Sequence, residues 1–104
     1  MEVKFFDSKL ENFLSGLEKL TIAKVVRTVE LLKESGHQLG MPHSKYIGHR
    51  LFELRVRGDQ EVRIFYTFYL NLVMLLHGYV KKSQRIPSKE LDIAHQKLEA
   101  LDRG

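Results

Sequence analysis

Three rhythms of apolar residues divide this chain. Residues 2–6, EVKFF, read as a short strand. Leu10, Phe13, Leu14, Leu17 and Leu20 then follow the three-and-four spacing that lines one side of a helix. Ser8 stands where an N-cap belongs, and Glu11, three residues on, completes a capping box. Thr21 opens a second helix with the stripe Ile22, Val25, Val26, Val29 and Leu32. Gly36 is its stop, because glycine tolerates the left-handed conformation found there. Together these segments predict an αα-hairpin. Residues 36–49 are polar, contain Gly36, Gly40, Pro42 and Gly48, and read as a loop.

The period then changes to two. In LFELRVR, Phe52, Leu54 and Val56 alternate with Glu53, Arg55 and Arg57. Gly58 and Asp59 mark a turn, EVRIFYTFY resumes the alternation, Leu70 and Asn71 mark the next turn, and LVMLLHGYV is the last strand. Pro87 suits the first turn of a final helix, with the stripe Leu91, Ala94, Leu98 and Leu101. The predicted order is β-α-α-β-β-β-α: an α+β domain whose helices cover one face of a mainly antiparallel sheet.

Side chains alternate across a strand, so parity assigns faces. Phe52, Leu54, Val56, Val62, Ile64, Tyr66 and Phe68 share an apolar face, with Met74, Leu76 and Val80 as companions from the last strand. The opposite face collects Arg55, Arg57, Arg63, Phe65, Thr67, His77, Tyr79 and Lys81. The last strand also runs out into HGYVKKSQRIP, which delivers Lys82 and Arg85 to the same edge. Clustered cations repel unless an anion neutralises them. Guanidinium forks match phosphate oxygens, and exposed rings stack on bases, so this face points to RNA. The plainer readings are a solvated strand end, and Arg55 and Arg63 paired with Glu53 and Glu61 across neighbouring strands.

Charge placement agrees. The net charge is +4, and residues 1–44 are balanced, with six basic and six acidic groups. Residues 45–104 hold eleven basic and seven acidic groups and so the whole surplus. A positive field of this kind attracts nucleic acid or an acidic protein partner. The length suits one domain over residues 1–104, and 43% apolar residues suffice for a core. There is no cysteine, which fits a reducing cytoplasm and excludes disulfides and Cys-based metal sites. His37, His43, His49 and His95 show no metal spacing, and no apolar run nears the roughly 18 residues that span a bilayer. The start, MEVKFFDS, has no signal-peptide pattern. No cofactor is implied.

Leu51, Glu53, Leu54 and Arg55 on one strand, Arg63 and Tyr66 on the next, and His77, Gly78, Tyr79, Lys81, Lys82, Pro87, Glu90, Leu91 and Ala94 in the tail form a recognisable pattern. Residues 45–98 resemble the phage-related branch of HigB-type toxins in the RelE superfamily. The resemblance implies a RelE-like fold and a toxin of a type II toxin–antitoxin pair, an endoribonuclease that cuts mRNA on the ribosome. It also implies a cognate antitoxin, often a helix-turn-helix protein. A non-catalytic RNA-, ribosome- or antitoxin-binding module is the alternative. Two positions depart from the pattern: Ile86, where relatives carry a capping Thr or Ser, and Val62, often aromatic in relatives.

Metal-free RNA cleavage starts with attack by the substrate's 2′-hydroxyl, and the protein must move protons and stabilise charge on phosphorus. Arg55 and Arg63 are the candidates for the phosphate oxygens. Lys82 is a candidate for holding the scissile phosphate or donating a proton, and His77 and Lys81 for acid–base work. A histidine beside a glycine at a strand end is also often structural. Tyr79 would stack on a base or orient the phosphate. Lys45, Arg57, Arg85 and Lys89 would contact the RNA backbone.

Overall fold

The computed structural model describes residues 1–104. The elements are β1 (Val3–Phe5), α1 (Ser8–Ser15), α2 (Lys19–Ser35), a 3-10 turn (Gly36–Gln38), β2 (Ser44–Gly48), β3 (Leu51–Val56), β4 (Val62–Tyr69), β5 (Leu72–Val80) and α3 (Ser88–Asp102). They build an α+β fold around one five-stranded mixed sheet, ordered β1-β5-β4-β3-β2. β1 lies parallel to β5, and every other pair is antiparallel.

Three helices form where the stripes predict them, but α1 ends at Ser15, so Leu17 and Leu20 lie outside it and Leu20 is exposed, and the caps differ. Asp7, not Ser8, caps α1, its carboxylate accepting from the Leu10 N–H at 3.2 Å. Lys97 of α3 also pairs with Asp7 at 3.0 Å. Burial alone would raise the Asp7 pKa, but the bonds from Lys97 and the Leu10 amide, with the charges of Lys97 and Lys9, hold it below the usual carboxylate value. α2 begins at Lys19 with no side-chain cap, and Thr21 is buried inside it. At α3 the cap position falls on Pro87, one residue later than the family pattern suggests. Ile86 is therefore not a failed cap. It sits just before the cap, and it and Leu91 pack on the same apolar cluster, as in a hydrophobic staple.

Residues 36–49 are not all loop. Ser44–Gly48 forms the edge strand β2 against β3. An edge strand is hydrogen-bonded on one side only, so it needs little apolar alternation and leaves a weak signal. Leu70 and Asn71 close the β4–β5 hairpin with φ of 49° and 65°, both left-handed, as a type I′ turn requires.

The expectation that all helices share one face is overturned. α1 and α2 cover one face, where Leu10, Leu14, Val25 and Leu32 pack on Leu54, Val56, Val62, Ile64, Tyr66, Val73 and Leu75. α3 covers part of the other, where Ala94 and Leu98 pack on Leu51, Phe65, Leu76 and Tyr79. Parity misplaced Met74 and Leu76, which belong to this second cluster. Phe65 pairs with His77 but Tyr66 pairs with Leu75, so Leu76 is an extra residue in β5. Such a bulge shifts the alternation by one and turns a strand's apolar set to the other face.

Gly78 lies directly beneath two side chains of α1. A Cβ there would lie 3.0 Å from Leu10 Cδ1 and 3.2 Å from Phe13 Cε2. Gly78→Ala should therefore destabilise the fold by about 1–3 kcal/mol through overpacking, read as a lowered urea midpoint. An unchanged midpoint would show that α1 is free to shift.

Candidate active site

The register of β3, β4 and β5 lays the chemistry out in rows. Arg55 is opposite Arg63, and Arg63 is opposite Tyr79. One row inward, Lys45, Glu53, Phe65 and His77 line up across four strands. One row outward, Arg57, Glu61 and Lys81 follow with the same parity, and the Lys81 N–H donates to the Glu61 carbonyl at 2.6 Å. α3 covers the inner, apolar end of this face. Beyond its cover a cavity of about 650 Å³ opens, lined by Arg55, Arg57, Glu61, Arg63, Lys81, Lys82, Ser83 and Gln84, with no hydrophobic side chain.

Two arginines directly opposite each other in a sheet repel. Here both are compensated along their own strands rather than across to the neighbour. Arg55 Nε meets Glu53 Oε1 at 3.0 Å, and Glu53 is only 3% exposed. Arg63, 2% exposed, lies 3.5 Å from Glu61, whose other oxygen accepts from the Gly58 N–H at 3.0 Å. A buried charge left alone costs several kcal/mol, so these two carboxylates are what permits two guanidiniums in one desolvated row. The buried layer is thus balanced, while Arg57, Lys81 and Lys82 make no ion pair. Arg63 also donates to the Val62 carbonyl at 3.2 Å, but its Nε has no partner.

Tyr79 lies beside this row without a partner for its hydroxyl. It is 5% exposed and its ring stacks on Phe65 at 5.8 Å. Burial, with the Glu53 charge adding to it and Arg63 opposing, pushes its pKa up to about 12. The stacking role expected of Tyr79 is corrected: its ring is enclosed in the cluster under α3 and leaves no face for a base. His77 lies apart from the cavity. Its Nε2 meets Glu90 Oε1 at 2.8 Å, and it lines a separate cavity of about 540 Å³ between α1 and α3.

Of the ten candidate residues, the fold brings Arg55, Arg57, Arg63, Lys81 and Lys82 into one cavity. Lys45, Arg85 and Lys89 are exposed on β2, on the β5–α3 loop and in the first turn of α3, outside it. From the sequence, Glu61 reads only as an ion-pair partner of the arginines, not as a residue of the site. Its signal was available: it stands two residues before Arg63 and so shares its face. Ser83 and Gln84 carried no signal, because only the path of the loop after β5 places them. No three side chains able to hold a metal ion converge in the molecule, and no helix is long and apolar enough to cross a membrane.

A small α+β domain with a strand-end cavity lined by arginine and lysine is suited to binding phosphate. Residues 12–99 match the model of the phage-derived Gp49-like protein family (DUF891), and the chain belongs to that family, which is associated with RelE- and HigB-like toxins. No curated protein matches the chain.

Since the Tyr79 hydroxyl is buried without a bond, Tyr79→Phe should leave stability at neutral pH unchanged or raise it by up to about 1 kcal/mol. A raised folded-state pKa means that stability is intact below the unfolded value of roughly 10 and falls as pH rises towards about 12. Tyr79→Phe should reduce that alkaline loss in denaturation curves taken across the window. A loss of stability at neutral pH would show that the hydroxyl has a bonding partner.

Proposed function

We propose that the protein is the toxin of a type II toxin–antitoxin pair, a HigB-type member of the RelE superfamily acting in the cytoplasm. It cuts mRNA on the ribosome by attack of the substrate's own 2′-hydroxyl. The observation that carries this reading is Arg63: a buried guanidinium, with Nε unpartnered, lining a cavity where Arg57, Lys81 and Lys82 have no counter-ion. Membership of a toxin-associated family supports it.

The scissile phosphate enters the cavity. Arg63, Arg55 and Lys81 meet its non-bridging oxygens, where negative charge builds in the transition state. Proton transfer needs a base at the 2′-oxygen and an acid at the leaving 5′-oxygen. His77 serves neither role, being held by Glu90 in another cavity. Glu61 supplies the carboxylate in the cavity and takes the 2′-hydroxyl proton. The 2′-oxygen bonds to phosphorus, the bond from phosphorus to the 5′-oxygen breaks, and the exposed Lys82 protonates that oxygen. The products are a 2′,3′-cyclic phosphate and a 5′-hydroxyl. The cognate antitoxin blocks this reaction.

One observation favours a second reading, a non-catalytic RNA- or antitoxin-binding module: no imidazole reaches the cavity. Replacing Lys81 and Lys82 together separates the two, since a binder loses affinity gradually and an enzyme loses turnover sharply.

Because Arg63 is 2% exposed, Arg63→Ala would leave a void, so the informative variant is Arg63→Gln. It should lower the rate by about 10²–10³-fold in mapping of cleaved transcript ends, as the loss of a charge-stabilising donor does elsewhere. Full activity in that variant would remove Arg63 from the mechanism. Glu61→Gln should abolish the acidic limb of the pH–rate profile and, by leaving the buried Arg63 without its counter-charge, also lower the unfolding midpoint. An unchanged profile would assign the base elsewhere.

A further inference from the structure

A second cavity, of about 280 Å³, adjoins the first on the α2 side of β3. The two share Arg55 and Arg57. α2 contributes Lys24 and Arg27, three residues apart and so on one helix face, and the segment before β2 contributes His43. Lys24 lies over the β3–β4 turn, so close that a Cβ on Gly58 would be 2.7 Å from its Nζ. His43 is tied to β3 through its carbonyl, which accepts from the Arg55 N–H at 2.8 Å. Gly58 in turn donates to Glu61 of the first cavity at 3.0 Å, so the turn joins the two lobes.

The charge balance of the lobes differs. In the first, Glu61 is part of the lining. No carboxylate lines the second, and Lys24, Arg27 and Arg57 form no ion pair. Cations gathered in a concave site without a counter-ion concentrate the positive field and favour an anion there. Three arginines and a lysine outnumber its one aromatic ring, that of His43, so the lining offers chiefly charge.

We infer that this second cavity is a phosphate subsite, holding the backbone of the same RNA strand whose scissile phosphodiester lies in the first. The inference rests on the proposed nuclease reading. Its ligand is a phosphodiester neighbouring the cut, carried over the ridge of Arg55 and Arg57. Recognition there is by charge and independent of base identity.

The test is binding of the full-length protein to a hexanucleotide RNA carrying a 2′-deoxy residue at the cleavage position, measured by anisotropy over a range of salt. Lys24→Ala combined with Arg27→Ala should weaken binding alike for different sequences, and make the salt slope shallower by about 0.7, for the one phosphate no longer neutralised. A variant with the wild-type slope overturns the subsite. So does one that binds the hexanucleotide normally but loses ribosome affinity, which would assign the lobe to ribosomal RNA. If the wild-type protein binds no hexanucleotide, the subsite falls, while the ribosome-dependent nuclease reading stands or falls by the mapping of transcript ends. Wild-type binding with an unaltered variant sinks the subsite alone.

Discussion

The site depends on a guanidinium held almost wholly out of water at the wall of the cavity. β4 is the middle strand of five, and from Val62 to Thr67 every residue is buried. α1 and α2 lie on one side and α3 on part of the other. A charge on such a strand has no hydration to rely on, so its neighbours must supply the compensation. Glu61 does this for Arg63, and Glu53 for Arg55 on the adjoining strand. With the two arginines balanced in this way, Arg57, Lys81 and Lys82 remain as uncompensated charges around them. The result is a stiff, neutralised floor beneath a cationic rim, an arrangement suited to a ligand whose charge must be met by groups already in place.

The second determinant is how far α3 reaches. Its stripe meets Leu51, Phe65, Leu76 and Tyr79, and so reaches the row of Arg55 and Arg63 only at its Tyr79 end. That boundary divides one sheet face into an apolar half and a charged half. It also encloses the Tyr79 ring and lets Glu90 capture His77. The loop leaving β5 carries Lys81 and Lys82 back to the open half, so a short stretch of chain serves both sides of the boundary.

Much of this was legible along the chain because helices and paired strands announce themselves through period. The stripes of α1, α2 and α3, the two hairpin turns and the shared parity of Arg55, Arg57 and Arg63 all follow from spacing. β2 was not legible, since an edge strand answers to one neighbour and carries few apolar residues. The bulge at Leu76 was not legible either: LVMLLHGYV is apolar at nearly every position, so nothing marks where the alternation slips. The side taken by α3 was missed for a related reason. Leu51, Phe65 and Leu76 build its docking surface from three strands, and no single strand displays that surface.

Alternation along β3 and β4 by itself determined that the arginines share a face and that Glu53 and Glu61 stand among them, because side-chain direction in a strand is a local property. Which of the neighbouring candidates joined them was decided only by tertiary structure. His77 and Tyr79 of β5 and Lys81 just past its end follow one another at every second residue, yet one is bound to α3, one is enclosed and one opens to the cavity. Their fates differ because exposure depends on what packs above a strand, and that is set by helix docking and strand order rather than by the strand's own residues.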